Sequence, residues 1–155
     1  MRSRWAELLA LTGSICGVTP AAAQHGREIG LQAIATASEP AIVVAGAYGA
    51  LRTSARTRLS AAAGAGISDG DFAAREELLG HFLLSPGQPR GAGFYLAGGL
   101  AAVQGPVSRG YLVLTLGLED RPAAGSGWSA EVGVGGGVRL ALGYRWRWFR
   151  QAVPR

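Results

Sequence analysis

Between Val138 and Phe149 the chain alternates without a break. Val138, Leu140, Leu142, Tyr144, Trp146 and Trp148 fall on one face of an extended strand, and Arg139, Ala141, Gly143, Arg145 and Arg147 on the other. A helix would scatter these arginines around its circumference, whereas a strand gathers them on one side. After residue 23 the chain falls into segments of roughly ten residues between turn signals, the length of a β-barrel span.

Seven further strands follow from this pattern. Strand 1 covers about 28–37, with Ile29, Leu31, Ala33 and Ala35 opposite Glu28, Gly30, Gln32 and Thr36. Strand 2 covers about 41–51. Closing its hairpin on Glu39-Pro40 puts Ile42, Val44 and Tyr48 on the apolar side and Ala45, Ala47 and Gly49 on the inner side. Strand 3 covers about 55–67 and sets Arg56, Arg58 and Ser60 against Leu59, Ala61 and Ile67. Asp69-Gly70 suits a two-residue type I′ turn, which places Arg58 opposite His81 and Ala62 opposite Glu77. Strand 4, about 72–84, is apolar on both faces near its end and turns Glu76 outward; a one-residue bulge repairs this, and a short helix is the rival. Strands 5, 6 and 7 cover about 92–103, 109–118 and 128–135. Their apolar faces carry Phe94, Leu96 and Leu100, then Leu112 to Leu118 at every second position, then Trp128, Ala130, Val132 and Val134. Glu119 to Gly127 is expected as a loop.

Eight strands are an even number, as bacterial single-chain membrane barrels have. In an up-and-down barrel, strands 2, 4 and 8 end at the rim where 5 and 7 begin. Tyr48, Phe82, Tyr144, Trp146 and Trp148 come late in the first set, and Phe94 and Trp128 early in the second. These aromatics therefore collect at one rim, as a membrane-interface belt requires. The expected class is all-β: an eight-stranded antiparallel transmembrane barrel with its apolar face outward. Its lumen would hold Glu28, Arg56, Arg58, Arg75, Glu77, His81, Glu131, Arg139, Arg145 and Arg147, paired with one another because lone charges there are costly.

The first residues fit export. Arg2 and Arg4 precede an uncharged, mostly apolar run from Leu8 to Val18, Pro20 ends it, and Ala21-Ala22-Ala23 gives a small-x-small cleavage pattern. The expectation is a signal peptide over residues 1–23 and a barrel domain over 24–155. Cys16 leaves with the signal, so the exported part holds no cysteine and no disulfide. With Arg2, Arg4 and Glu7 removed, 13 of the 15 basic residues, all arginine, face 9 of the 10 acids. These arginines are spread along the chain, and export argues against a nucleic-acid partner. No His/Cys cluster has metal-ligand spacing and no phosphate loop is present, so no metal or cofactor is expected.

The last strand also resembles the C-terminal assembly signal of bacterial outer-membrane β-barrel proteins: a glycine, two residues, an aromatic, one residue, an aromatic. Gly143, Trp146 and Trp148 match it. The family prefers a polar residue where Ala141 stands and usually ends near the final aromatic, where here residues 150–155 follow. The architecture of residues 24–155 is similar to small OmpA/OmpX-type barrels. That resemblance implies an outer-membrane location, contact with outer-membrane lipid and lipopolysaccharide, passage through the barrel-assembly machinery, and a structural or surface-integrity role. It also places both termini on the periplasmic side, with the longer connections there.

Three other functions use the same residues. A soluble periplasmic barrel of lipocalin type would turn the apolar faces inward around an apolar ligand, and period two alone does not separate inside from outside. A narrow porin-like pore would leave the lumen open. A lipid-modifying barrel enzyme would use Ser60, His81 and Glu77 as a triad, but these face a packed lumen, and His81 lacks the serine two residues later that lipid A deacylase barrels carry. The reading taken is a non-enzymatic barrel with a lumen plugged by its own polar side chains.

Overall fold

The structure, a computed structural model, describes residues 26–106 and 108–149, with nothing said of the Phe149 side chain. The expected signal peptide lies outside the described residues, as do the first two positions and the basic tail of the expected barrel domain. Eight strands run in order: β1 (Gly26–Ala37), β2 (Ile42–Arg52), β3 (Thr57–Ser68), β4 (Asp71–Leu83), β5 (Ala92–Gln104), β6 (Arg109–Asp120), β7 (Ser126–Val134) and β8 (Val138–Phe149). Each pairs antiparallel with its sequence neighbours, and β1 pairs with β8 to close the barrel. A 12-residue strand such as β1 is about 40 Å long, and a tilt of about 40° gives it a height of about 30 Å, the thickness of a bilayer's hydrocarbon core.

The outer wall is apolar on every strand. Ile29, Val43, Leu59, Leu78, Leu96, Leu114, Val132 and Leu142 are all exposed, while Glu28, Arg58, Arg75, Glu77, Arg139, Arg145 and Arg147 are buried inside. The reverse sense, with apolar residues inward and arginines outward, is not the one found. Phe82, Phe94, Trp128, Tyr144, Trp146 and Trp148 are exposed. The pairings Trp128↔Tyr144 and Ser126↔Trp146 set them toward the rim where β1 begins.

At the opposite rim the β3–β4 turn is the two-residue hairpin its Asp-Gly pair calls for: Asp69 has φ 53° and Gly70 φ 87°. Its register sets Arg58 opposite His81 and Ala62 opposite Glu77. The connections at the β1-start rim run over 53–56, 84–91 and 121–125. Those at the other rim run over 38–41, 69–70, 105–108 and 135–137.

The expectations for β2, Arg56 and β4 are corrected. The face of β2 is inverted: Ile42, Val44 and Ala50 are buried inside, and Val43 and Leu51 are exposed. A two-residue turn at Glu39-Pro40 would have paired Ala37 with Ile42. The actual turn pairs Thr36 with Ile42, and a one-residue slip moves every side chain to the other face. Tyr48 therefore leaves the belt and lies against the inward Gly30, its direct cross-strand partner, where an added Cβ would strike the Tyr48 ring. Arg56 leaves the lumen as well. It is exposed in the β2–β3 connection, because the Ser54 hydroxyl accepts hydrogen bonds from the Arg56 and Thr57 amides at 3.2 and 3.0 Å and folds these residues into a turn.

Strand β4 needs neither the bulge nor the helix. It alternates regularly from Ala73 to Leu83, with Glu76 outward. Its inward leucines are accommodated because the lumen is partly apolar: Leu79 packs with Ala101 and Val113, and Leu83 with Tyr95 and Ala97.

Candidate functional site

The interior is built in tiers by inward positions at successive heights. Nearest the Asp69-Gly70 rim is an apolar tier of Ile34, Ile42, Val44, Ala73, Val103 and Ala141, with Tyr111 packed against it. This tier was not foreseen; it follows from the inverted face of β2, which delivers Ile42 and Val44 inward.

Below it lies a charged tier drawn from four strands. Glu77 on β4 accepts from Arg75 Nε at 2.7 Å and from Arg139 Nε and Nη2 at 3.0 and 2.8 Å. Arg139 Nη1 on β8 donates to Glu131 on β7 at 2.6 Å, and the Tyr95 hydroxyl on β5 donates to the same carboxylate at 2.8 Å. Arg75 also donates across the barrel to the Gly135 carbonyl at 3.1 Å. Two guanidinium forks meet two carboxylates, and each of the four carboxylate oxygens accepts at least one hydrogen bond, the condition under which buried ion pairs are tolerated.

At the β1-start rim lies a second charged cluster. Glu28 accepts from Arg147 Nη2 at 2.9 Å and from Arg58 Nη1 at 3.4 Å. Glu119 accepts from Arg58 Nη1 at 3.2 Å and lies 3.2 Å from Arg145 Nη1. The β6–β7 connection closes over this cluster: Arg145 Nη2 donates to the carbonyls of Asp120 and Arg121 at 2.8 and 3.1 Å, and Arg147 donates to the Pro122 carbonyl. Pro122 itself is fully buried.

Between the tiers stands His81. Arg58 Nη2 lies 3.1 Å from His81 Nδ1, and Ser60 Oγ lies 2.8 Å from His81 Nε2. Because a guanidinium can only donate, Nδ1 must accept, and the ring proton sits on Nε2, directed at Ser60. In a nucleophilic triad a carboxylate faces Nδ1, and Nε2 accepts from the serine. Here a cation occupies the carboxylate's place, and Glu77 is held by two arginines. Among the described residues no group of His, Cys, Asp and Glu is placed to hold a metal ion.

Of the expected lumen residues, Glu28, Arg58, Arg75, Glu77, His81, Glu131, Arg139, Arg145 and Arg147 are brought together, and Arg56 is not. Glu119, Tyr95 and Arg52 were missed. Glu119 lies one step beyond the expected end of strand 6, but the inward series Tyr111, Val113, Thr115, Gly117 continues to it. Tyr95 follows the same parity in β5, opposite Gly117, where an added Cβ would enter its ring. Arg52 was lost with the face of β2. Of the assembly-signal residues, Gly143 is inward beside Ser129, and Trp146 and Trp148 face out.

No protein-family model matches the chain, and no curated protein matches it. Among solved structures, it is similar to the N-terminal β-barrel domain of Pseudomonas aeruginosa OprF. The two are 14% identical with a TM-score of 0.64, over 81% of this chain and 100% of that one. At that identity the likeness establishes the fold alone, a closed eight-stranded antiparallel barrel.

Proposed function

We propose that the chain is an integral outer-membrane protein: a barrel whose role is structural, sustaining envelope integrity, with a lumen closed by its own side chains. The observation that carries this is the polarity of the wall. An apolar exterior about 30 Å tall, interrupted on β4 by Glu76 and ringed by Phe82, Phe94, Trp128, Tyr144, Trp146 and Trp148 at one rim, is costly in water and stable in lipid. A soluble barrel would bear the opposite arrangement. The fold shared with the OprF domain supports the same location.

The closed lumen is supported by three successive obstructions: the Ile34–Val103 apolar tier, the Arg75–Glu77–Arg139–Glu131 network and the Arg145–Arg147 cluster under Pro122. Eight strands leave an interior just wide enough for side chains. The reading is non-enzymatic, since the proton on His81 Nε2 leaves Ser60 without a base. Lipid, lipopolysaccharide and the assembly machinery would be its partners, the last through Gly143, Trp146 and Trp148.

Two experiments test this. Expressed with its leader, the protein should partition with outer membranes and migrate differently in gels before and after boiling; recovery in the soluble periplasmic fraction refutes the location. Refolded protein in planar bilayers should give no stable large-conductance openings, and their appearance refutes the closed lumen.

A further inference from the structure

Among the described residues, the cluster at the β1-start rim holds buried guanidinium N–H groups with no acceptor. Arg52, Arg58 and Arg145 are buried there beside Glu28 and Glu119. Arg52 is 8% exposed, and its Nε and Nη2 are buried without a hydrogen-bond partner. It pairs directly with Arg58 across β2 and β3, two positions beyond Ala50, which faces Glu28. Arg58 Nε, Arg145 Nε and Arg145 Nη1 are likewise without a hydrogen bond. Arg145 Nη1 lies 3.2 Å from Glu119, near enough to be attracted but not aligned to donate.

A buried guanidinium with unused N–H groups is expensive unless an anion or water completes it. The donors are guanidinium forks, whose planar paired N–H groups match an oxyanion better than a spherical halide. Arg52 occupies the last inward position of β2, at the mouth of the lumen. The middle tier, where Arg75 and Arg139 face Glu77 and Glu131, shows buried guanidinium groups with every nitrogen engaged in the same barrel.

We propose that the mouth of the lumen at the β1-start rim is a binding site for a phosphate-type oxyanion, held by Arg52 with Arg58 and Arg145. The phosphate comes either from solution or from a lipid headgroup; the chemistry of capture is the same. The site depends on the barrel interior and not on the envelope role, so it stands or falls separately from that role.

The full chain, refolded in neutral detergent, is titrated with inorganic phosphate against sodium chloride at matched ionic strength. Thermal unfolding by circular dichroism and 31P line width are followed. Phosphate should raise the unfolding temperature saturably, and chloride should not. Arg52→Gln should weaken this by about tenfold or more, as expected for a lost charge-assisted contact, while Arg27→Gln on the outer wall should bind like the parent. In a second arm, phosphatidylglycerol is compared with phosphatidylcholine in mixed micelles. Protection by phosphatidylglycerol but not by inorganic phosphate supports the lipid source, and the converse supports the free anion. Equal behaviour of phosphate, phosphatidylglycerol and chloride overturns the proposal, as does unchanged binding in Arg52→Gln. Should Arg52→Gln fail to refold, the comparison of anions on the parent protein decides alone.

Discussion

Glu77 is the hinge of the middle charged tier, and replacing it with Gln isolates what charge contributes there. Gln keeps the shape, so little cavity term enters. It leaves Arg75 and Arg139, 2% and 0% exposed, facing a neutral amide where a carboxylate stood 2.7 and 2.8 Å away. Arg139 retains Glu131 at 2.6 Å, but Arg75 retains only neutral acceptors, Thr36 and the Gly135 carbonyl. Removing one partner of a buried pair costs about 3–5 kcal/mol, because the remaining charge is left uncompensated. With an m-value of about 2 kcal/mol/M in urea, the unfolding midpoint falls by about 2 M. Removing both charges should cost less. In Arg75→Met with Glu77→Leu, no ion is stranded and Arg139 keeps Glu131, so the double variant should recover at least about half of the loss. The assay is urea unfolding from lipid vesicles, followed by tryptophan fluorescence. A Glu77→Gln midpoint within about 0.5 M of the parent, well inside the roughly 2 M expected, refutes the claim that this carboxylate neutralises the tier. So does a double variant no better than the single one.

The outer wall makes a depth-dependent prediction: Leu114→Arg at mid-height should cost about 2–4 kcal/mol in bilayers and Leu51→Arg near the rim about 0–1 kcal/mol, read from the same unfolding curves; equal costs would contradict a lipid-facing wall. Gly117→Ala should drive Tyr95 out of its place and break its bond to Glu131, costing about 1–3 kcal/mol. Ultraviolet resonance Raman of the tyrosine band checks whether that hydrogen bond is lost. Ser60→Ala strands the His81 Nε2 proton and should cost about 1–3 kcal/mol while leaving the lipid A profile of overexpressing cells equal to that of the parent.

How much of this was legible depends on contrast between faces. β8, with arginines on one side and aromatics on the other, lies where the alternation put it, Val138–Phe149. The β3–β4 register followed from Asp69-Gly70 alone, because positive φ at both positions admits few residues and fixes the loop at two. β2 shows the opposite case. Ile42-Val43-Val44-Ala45 is apolar on both faces, so only the length of the preceding turn decides which face goes inward, and the turn was misjudged by one residue. Arg56 was counted into the lumen because its parity matched Arg58; the Ser54 turn that removes it is a local hydrogen-bond choice that alternation does not encode. The ionic partners were also hidden. Arg139 on β8 reaches Glu77 on β4, and Arg58 on β3 reaches Glu119 on β6, contacts across the lumen between strands that do not touch. The sequence marks such residues as inward but not as paired.

Which way β6 turns its side chains in a bilayer decides the membrane assignment most directly, and adjacent residues read this out. Spin labels are placed on single cysteines at Leu114, 63% exposed, and Thr115, 2% exposed, and relaxation by oxygen and by a water-soluble nickel chelate is measured in vesicles. The Leu114 label should collide with oxygen, concentrated in the hydrocarbon, and be shielded from nickel; the Thr115 label should be immobile and reached weakly by both. A Leu114 label readily relaxed by nickel in the presence of vesicles would place that wall in water and contradict the membrane assignment.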